Sequence, residues 1–237
     1  MNNDLDQQIL SALEKTTSEI RDRIERQIDE SRGQGLDAFE VLLKAAQTQG
    51  GDADLRAVVC WILGQLGKKR AAPALIAALD SSATNVVQEA AKSLGLIRSK
   101  KALQPLIAVL QRSENPDQQE AAAYGLGILG DKRVIGTLVR TLENPEVSPR
   151  VRGYCAEALA NLGDPTASFT LLATLDDPAV EVRFWSVYAL GELKEQRAIP
   201  KLEHLAKTDQ AELPGWGTVS AEAAESLALI RSSSLLG

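Results

Sequence analysis

A Leu-Gly step recurs along this chain at a period suited to a two-helix unit, and it constrains the fold more than any other feature. The copies are Leu63-Gly64-Gln65-Leu66-Gly67, Leu94-Gly95-Leu96-Ile97-Arg98, Leu126-Gly127-Ile128-Leu129-Gly130, Leu159-Ala160-Asn161-Leu162-Gly163, Leu190-Gly191-Glu192-Leu193-Lys194 and Leu227-Ala228-Leu229-Ile230-Arg231. Successive leading leucines stand 31, 32, 33, 31 and 37 residues apart. Twelve residues after each of the first five comes another leucine: Leu75, Leu106, Leu138, Leu171 and Leu202. Four residues further on come Leu79, Leu110, Leu142 and Leu175, on the same helical face, with Ala206 in the fifth copy beside Leu205. A tight turn between two helices preserves such an offset; drifting loops would lose it.

Each unit therefore reads as a first helix, a short turn, a second helix and a looser link. The register predicts first helices near 53–66, 84–97, 116–129, 148–162 and 178–193, and second helices near 71–79, 102–111, 133–142, 165–175 and 197–207. Pro73, Pro105 and Pro200 open second helices, where a missing N–H costs nothing. Gly67, Gly130 and Gly163 stand where a helix end wants a left-handed residue. Residues 4–31 read as one long, charge-laced helix with Leu5, Ile9, Ala12, Ile20, Ile24 and Ile28 as its apolar stripe. After Gly33-Gln34-Gly35, a further helix is expected near 36–48. The expected organisation is an N-terminal cap over 1–52, formed by a degenerate repeat, and a repeat solenoid over 53–237 closed by a helix at 218–231. The expected fold class is all-α: an α-α superhelix, or HEAT-like solenoid, of about five repeats capped at both ends.

The pattern resembles the HEAT superfamily, and specifically the short bacterial repeat type named after phycobilisome (phycobilin) lyases. That type carries Val-Arg early in the first helix, then Ala-Leu-Gly-x-Leu-Gly, then an Ala-x-x-x-Leu second helix. Val151-Arg152 and Val182-Arg183 match it, and Leu55-Arg56 is a close variant; the resemblance covers residues 53–231. It implies that Arg56, Arg152 and Arg183, which share one register position, form a structural ladder to an acidic group or carbonyl of a neighbouring repeat. It also implies a bilin, whose propionates suit Arg or Lys and whose rings suit Trp or Tyr. Lyases of this type work as pairs of related subunits, and relatives act in phycobilisome assembly or turnover. Repeats of this kind serve many unrelated roles, so function has to be argued from surfaces.

The formal net charge of −6 and pI near 5.0 oppose nucleic acid and anionic membranes. No apolar run reaches the length of a membrane span, and the Met1-Asn2-Asn3-Asp4 start lacks the basic and apolar segments of a signal peptide. Cys60 and Cys155 are too few for a disulfide framework, and a cytoplasmic protein is expected. Both lie on apolar helix faces and read as small buried hydrophobes. His204 is the one histidine, so neither a zinc site nor a His-based triad is supported. The HEAT-type iron hydroxylases need several His-Glu pairs, which this chain lacks. No catalytic residue, metal or resident cofactor is expected.

Three surface features remain. Turns within the repeats carry Lys68, Lys69, Arg70, Lys100, Lys101, Lys132 and Arg133, a candidate edge for an anionic partner. The opposite links are acidic, including Asp176-Asp177 and Asp209. Helix dipoles account for part of this segregation. Second, the positions two and five residues before the signature leucines place Trp61, Tyr124, Tyr154, Trp185 and Tyr188 on a lateral stripe of the first helices. The stripe either anchors a partner or fills grooves between first helices. Third, the second helices present small residues (Ala77, Ala78, Ala108, Thr137, Thr141, Thr170, Ala173, Thr174) that would admit a partner helix closely. The insertion Leu213-Pro214-Gly215-Trp216-Gly217 reads as a plug over the end of the array, with an exposed anchor as the alternative.

Three functions compete. The first is a non-catalytic protein-protein interaction module or assembly scaffold, whose partner is a helix or a paired HEAT-like subunit. The second is a phycobilin lyase-like subunit or phycobilisome assembly or degradation factor. The third is nucleic-acid binding through the basic edge, which the net charge and the lack of interleaved aromatics argue against.

Overall fold

A computed structural model describes residues 3–32, 36–48, 50 and 52–234; the predicted Gly33-Gln34-Gly35 break lies outside them. The described residues form fourteen α-helices, short 3-10 turns and one two-stranded ribbon. The fold is all-α and built of HEAT-like helical repeats, as the leucine register expects. The chain divides into two compact units, 1–125 and 126–237.

Unit 1 begins with α1 (Asn3–Leu13), α2 (Ser18–Arg32) and α3 (Ala38–Gln47). The single long helix expected over 4–31 is instead two helices. The break falls at Lys15-Thr16-Thr17, where the Lys15 and Thr16 amides donate to the carbonyls of Ala12 and Leu13 at 3.2 and 2.9 Å. The Thr16 hydroxyl also donates to the Leu13 carbonyl at 2.7 Å. Hydroxyl side chains that bond the local backbone compete with helix continuation, and here they win. The apolar stripe survives the break, with Ile9, Ala12, Ile24 and Ile28 all buried.

The repeats of unit 1 follow as α4 (Ala53–Gln65) with α5 (Ala72–Ala78), then α6 (Thr84–Leu96) with α7 (Leu103–Arg112). The helix α8 (Pro116–Leu129) contains the unit boundary. Unit 2 continues with α9 (Ile135–Glu143), α10 (Pro149–Leu162), α11 (Ser168–Ala173), α12 (Val180–Glu192), α13 (Ile199–Thr208) and α14 (Val219–Ser234). Every second helix is entered through a 3-10 turn, such as Lys69–Ala71 and Gln196–Ala198.

The signature glycines set how closely first helices approach. A Cβ built on Gly64 would lie 2.6 Å from the Ser93 Cβ, and one on Gly191 would lie 2.8 Å from the Ser226 Cβ. In that space each serine donates a hydrogen bond to the adjoining helix: Ser93 to the Cys60 carbonyl at 2.8 Å, and Ser226 to the Val187 carbonyl at 3.1 Å. Each carbonyl lies four residues before the glycine. The Leu-Gly step is thus a packing device, in which the leucine fills the core and the glycine lets the next helix in. Leu63, Leu94, Leu126, Leu159 and Leu190 are all fully buried.

First helices end in the left-handed conformation at Gly67, Gly130 and Gly163, and also at Arg98 and Lys194, where φ is 48° and 54°. The loop before α14 forms an antiparallel ribbon, β1 (Glu212–Leu213) with β2 (Gly217–Thr218). Its turn places Pro214 and Gly215 centrally, with φ of +84° at Gly215 and the Trp216 amide donating to the Leu213 carbonyl at 2.9 Å. Proline followed by a positive-φ glycine is the pattern of a type II turn.

Candidate partner-binding surfaces

The ladder position is occupied in both units, with different partners. In unit 1 the Arg56 guanidinium donates to the Ser81 hydroxyl at 3.2 Å and to the Ala46 carbonyl at 3.3 Å; it is buried, and its Nε has no partner among the described residues. Gln119 stands at the same register and donates to the Leu110 carbonyl at 3.1 Å. In unit 2 Arg152 donates to the Leu142 carbonyl at 2.8 Å and forms a buried ion pair with Asp177. Arg183 pairs with Asp209 at 2.7 Å and donates to the Asp177 and Pro178 carbonyls at 2.9 and 3.0 Å. The Arg183 hydrogen bond holds the Asp209 carboxyl below the usual carboxylate range. Two carboxylates of the acidic links are therefore committed to internal arginines.

The basic turns are partly neutralised. Arg70 pairs with Glu40 and lies 4.8 Å over the Phe39 ring in unit 1. In unit 2, Lys132 pairs with Asp164 at 3.1 Å and Arg133 with Asp131 at 2.6 Å. Lys68, Lys69, Lys100 and Lys101 stand exposed in unit 1.

The aromatic positions fall into two groups. Trp61 and Tyr124 belong to unit 1, and both are half-buried. Tyr154, Trp185 and Tyr188 cluster in unit 2 around Trp185, which is itself only 6% exposed. Tyr154 stacks on Trp185 at 6.4 Å between ring centroids, Tyr188 meets it edge-on at 5.5 Å, and Phe184 does so at 5.4 Å. Trp216 closes the cluster edge-on at 4.8 Å yet remains 63% exposed. The loop tryptophan is thus a lid over Trp185 whose outer surface faces solvent. Trp185 seats against α10 at Gly153, where a Cβ would come 2.8 Å from its ring.

The small-residue face of the second helices is narrower than expected. Ala78, Thr137, Thr170 and Thr174 are buried, because these short side chains let neighbouring helices close over them. The Thr174 hydroxyl, for instance, meets the Ser186 hydroxyl at 2.7 Å. Both cysteines are buried free thiols; burial pushes Cys60 up to about 12 and Cys155 upward as well, so neither is set up as a nucleophile. His204 is exposed. Among the described residues no group of three His, Cys, Asp or Glu side chains could hold a metal ion, and no helix is long and apolar enough to cross a membrane.

The family model for HEAT repeats matches residues 39–127, 84–148, 103–168 and 146–228, which together take in most of the chain. The chain belongs to the HEAT repeat family. Among curated proteins it is similar to the bilin biosynthesis protein PecE of Nostoc sp. (strain PCC 7120), 31% identical over 111 residues, or 44% of each chain. It is also similar to PecE of Mastigocladus laminosus, 30% identical over 111 residues, which is 44% of this chain and 41% of that one. The matched segment is thus under half the length of these curated relatives. Among solved structures, the complex of CpcE and CpcF of phycocyanin lyase from Nostoc sp. PCC7120 includes a chain that matches at a TM-score of 0.51 with 23% identity, over 93% of this chain and 92% of that one. That likeness concerns the fold.

Within the HEAT repeats of unit 2, the aromatic cluster also has acidic neighbours, which a stripe of aromatic positions leaves out. The signal was present. Two and five residues before Leu227 stand Glu225 and Glu222, the register of Tyr188 and Trp185 before Leu190. In α10 the same two positions hold Glu157 and Tyr154. Carried through to the closing helix, the stripe becomes half aromatic and half acidic.

Proposed function

We propose that this HEAT-repeat protein is a subunit of the bilin-lyase or bilin-protein assembly type, which acts by recognising protein partners and pairs with a second HEAT-like subunit. The observation that carries the reading is the 31% identity to PecE over 111 residues. The chemistry of the surface is compatible with it. Exposed Lys68, Lys69, Lys100 and Lys101 suit propionates, and half-buried Trp61 and Tyr124 suit tetrapyrrole rings, all within unit 1. The buried cysteines and single exposed histidine favour recognition over self-contained catalysis.

The test is to mix the purified chain with phycocyanobilin and record absorbance and fluorescence, alone and after co-expression with a CpcF-type subunit. A shifted, strengthened red absorption band and co-elution of the two proteins are expected. An unchanged bilin spectrum together with separate elution would overturn the proposal.

A further inference from the structure

The one exposed aromatic side chain of the unit 2 cluster is Trp216, and the cluster it caps has acidic neighbours around Tyr188. The exposed ring rests on Trp185, flanked by Tyr154 and Tyr188. Three helices then contribute carboxylates: Glu157 from α10 and Glu222 and Glu225 from α14 at the stripe register, and Glu192 one turn beyond Tyr188 on α12. The helix α14 is held against α12 by the Ser226 hydrogen bond to the Val187 carbonyl at 3.1 Å, which puts Glu222, one turn earlier, beside the aromatic patch. The fields of Glu192, Glu157 and Glu222 all reach the Tyr188 hydroxyl and, after burial, push its ionisation up.

Among the described residues, no cation pairs with these four carboxylates. Glu157 is half-buried, and burial alone raises its carboxyl. Glu222 is raised by burial first and then by Glu225 and Glu192, with only the Ser226 hydroxyl acting in the other direction. Half-buried carboxylates without a counterion are costly, and they lower the cost of bringing in a cation. A negative ring face adds to the attraction, and a guanidinium stacks on it while bonding carboxylates at its edge.

We propose that Trp216, Tyr188 and the Glu157, Glu192, Glu222 and Glu225 carboxylates form a docking surface for an arginine-bearing basic segment of a partner protein. The arginine stacks on Trp216, and its N–H groups donate to the glutamates. This surface is opposite in charge to one that would hold the propionates of a bilin, and it stands or falls separately from the bilin reading.

A fluorescein-labelled Arg-Gly peptide, titrated into the full chain at low ionic strength and followed by anisotropy, tests the proposal. The peptide binds the wild type, and Trp216→Ala weakens it by about tenfold. Glu192→Gln, an exposed substitution that leaves packing intact, weakens it by about threefold, and added salt weakens it further. Circular dichroism establishes that each variant keeps its helices; if Trp216→Ala loses them, Glu192→Gln carries the test. The proposal is overturned if the peptide does not bind the wild type, if both variants bind it as the wild type does, or if an Asp-Gly peptide binds equally well. Concentration-dependent self-association that Trp216→Ala abolishes, without peptide binding, would assign the surface to a second copy of this chain and overturn the proposal too.

Discussion

The arginine ladder is solved differently in the two units. In unit 1, Arg56 is buried against a hydroxyl and a carbonyl, both neutral. In unit 2, Arg152 and Arg183 occupy the same register but are answered by Asp177 and Asp209. The acceptors stand at matching distances along the chain, 25 residues on for Ser81 and Asp177 and 26 for Asp209. One position of the link thus decides whether a buried cation has a counterion. A buried ion pair adds little net stability over an apolar replacement, but it makes each partner costly to remove alone. The difference teaches that the arginine is tolerated for its many donors, while the acid makes the site intolerant of change.

The largest effect that would break this contrast is Asp177→Ala. It strands the Arg152 charge and removes the acceptor for the Ala179 amide, so a loss of about 3–5 kcal/mol is expected in urea unfolding. The matching Ser81→Ala removes a neutral acceptor from the Arg56 guanidinium and from the Ala83 amide, strands no counterion and should cost about 2 kcal/mol. Equal losses in the two variants would erase the distinction.

Next in size is the glycine that admits Ser93. Gly64→Ala drives a methyl into the serine and its hydrogen bond to Cys60, and a loss of about 1–3 kcal/mol should appear as a lower melting temperature. Gly191→Ala should behave alike in unit 2, because this device, unlike the ladder, is the same in both units.

Acid separates the ladders more finely. The folded pKa of Asp209 lies below its unfolded value, so its contribution is present above the unfolded value near 3.8 and is lost as pH falls through the folded one. The stability gap between wild type and Asp209→Asn should therefore be widest near neutral pH and narrow as pH falls below about 3.8. The gap between wild type and Ser81→Ala should hold constant over the same range, since Ser81 does not titrate. Thermal melts of both pairs across pH supply the measurement.

The smallest effect concerns strain at helix ends. Lys194 holds a left-handed φ of 54° where Gly163 holds 60° in the preceding repeat. Lys194→Gly should raise stability by about 0.5–1 kcal/mol, seen as a small rise in melting temperature. Arg98→Gly tests the same point in unit 1.

The repeat was legible because its period is enforced by packing. Leucines twelve residues apart must meet in one core, and a chain that lost the offset would bury polar groups. The long N-terminal helix was misread because its apolar stripe continues across the break. Periodicity reports which residues are buried, and Thr16 stops the helix through a local hydrogen bond that periodicity does not record. The aromatic stripe was legible as positions but not as a surface. Trp185 and Trp216 are 31 residues apart, and only the ribbon turn at Pro214-Gly215 brings the second ring over the first.

The residue order alone carried the helical class, the two-helix unit, its leucine core and the place of each arginine, since each follows from short-range periodicity repeated along the chain. Tertiary structure decided which acid or hydroxyl meets each arginine, which tryptophan is covered and which is exposed, and where carboxylates gather beside the aromatic cluster. Those outcomes depend on contacts between helices and loops distant in sequence, and their energies turn on burial, which no single stretch of residues specifies.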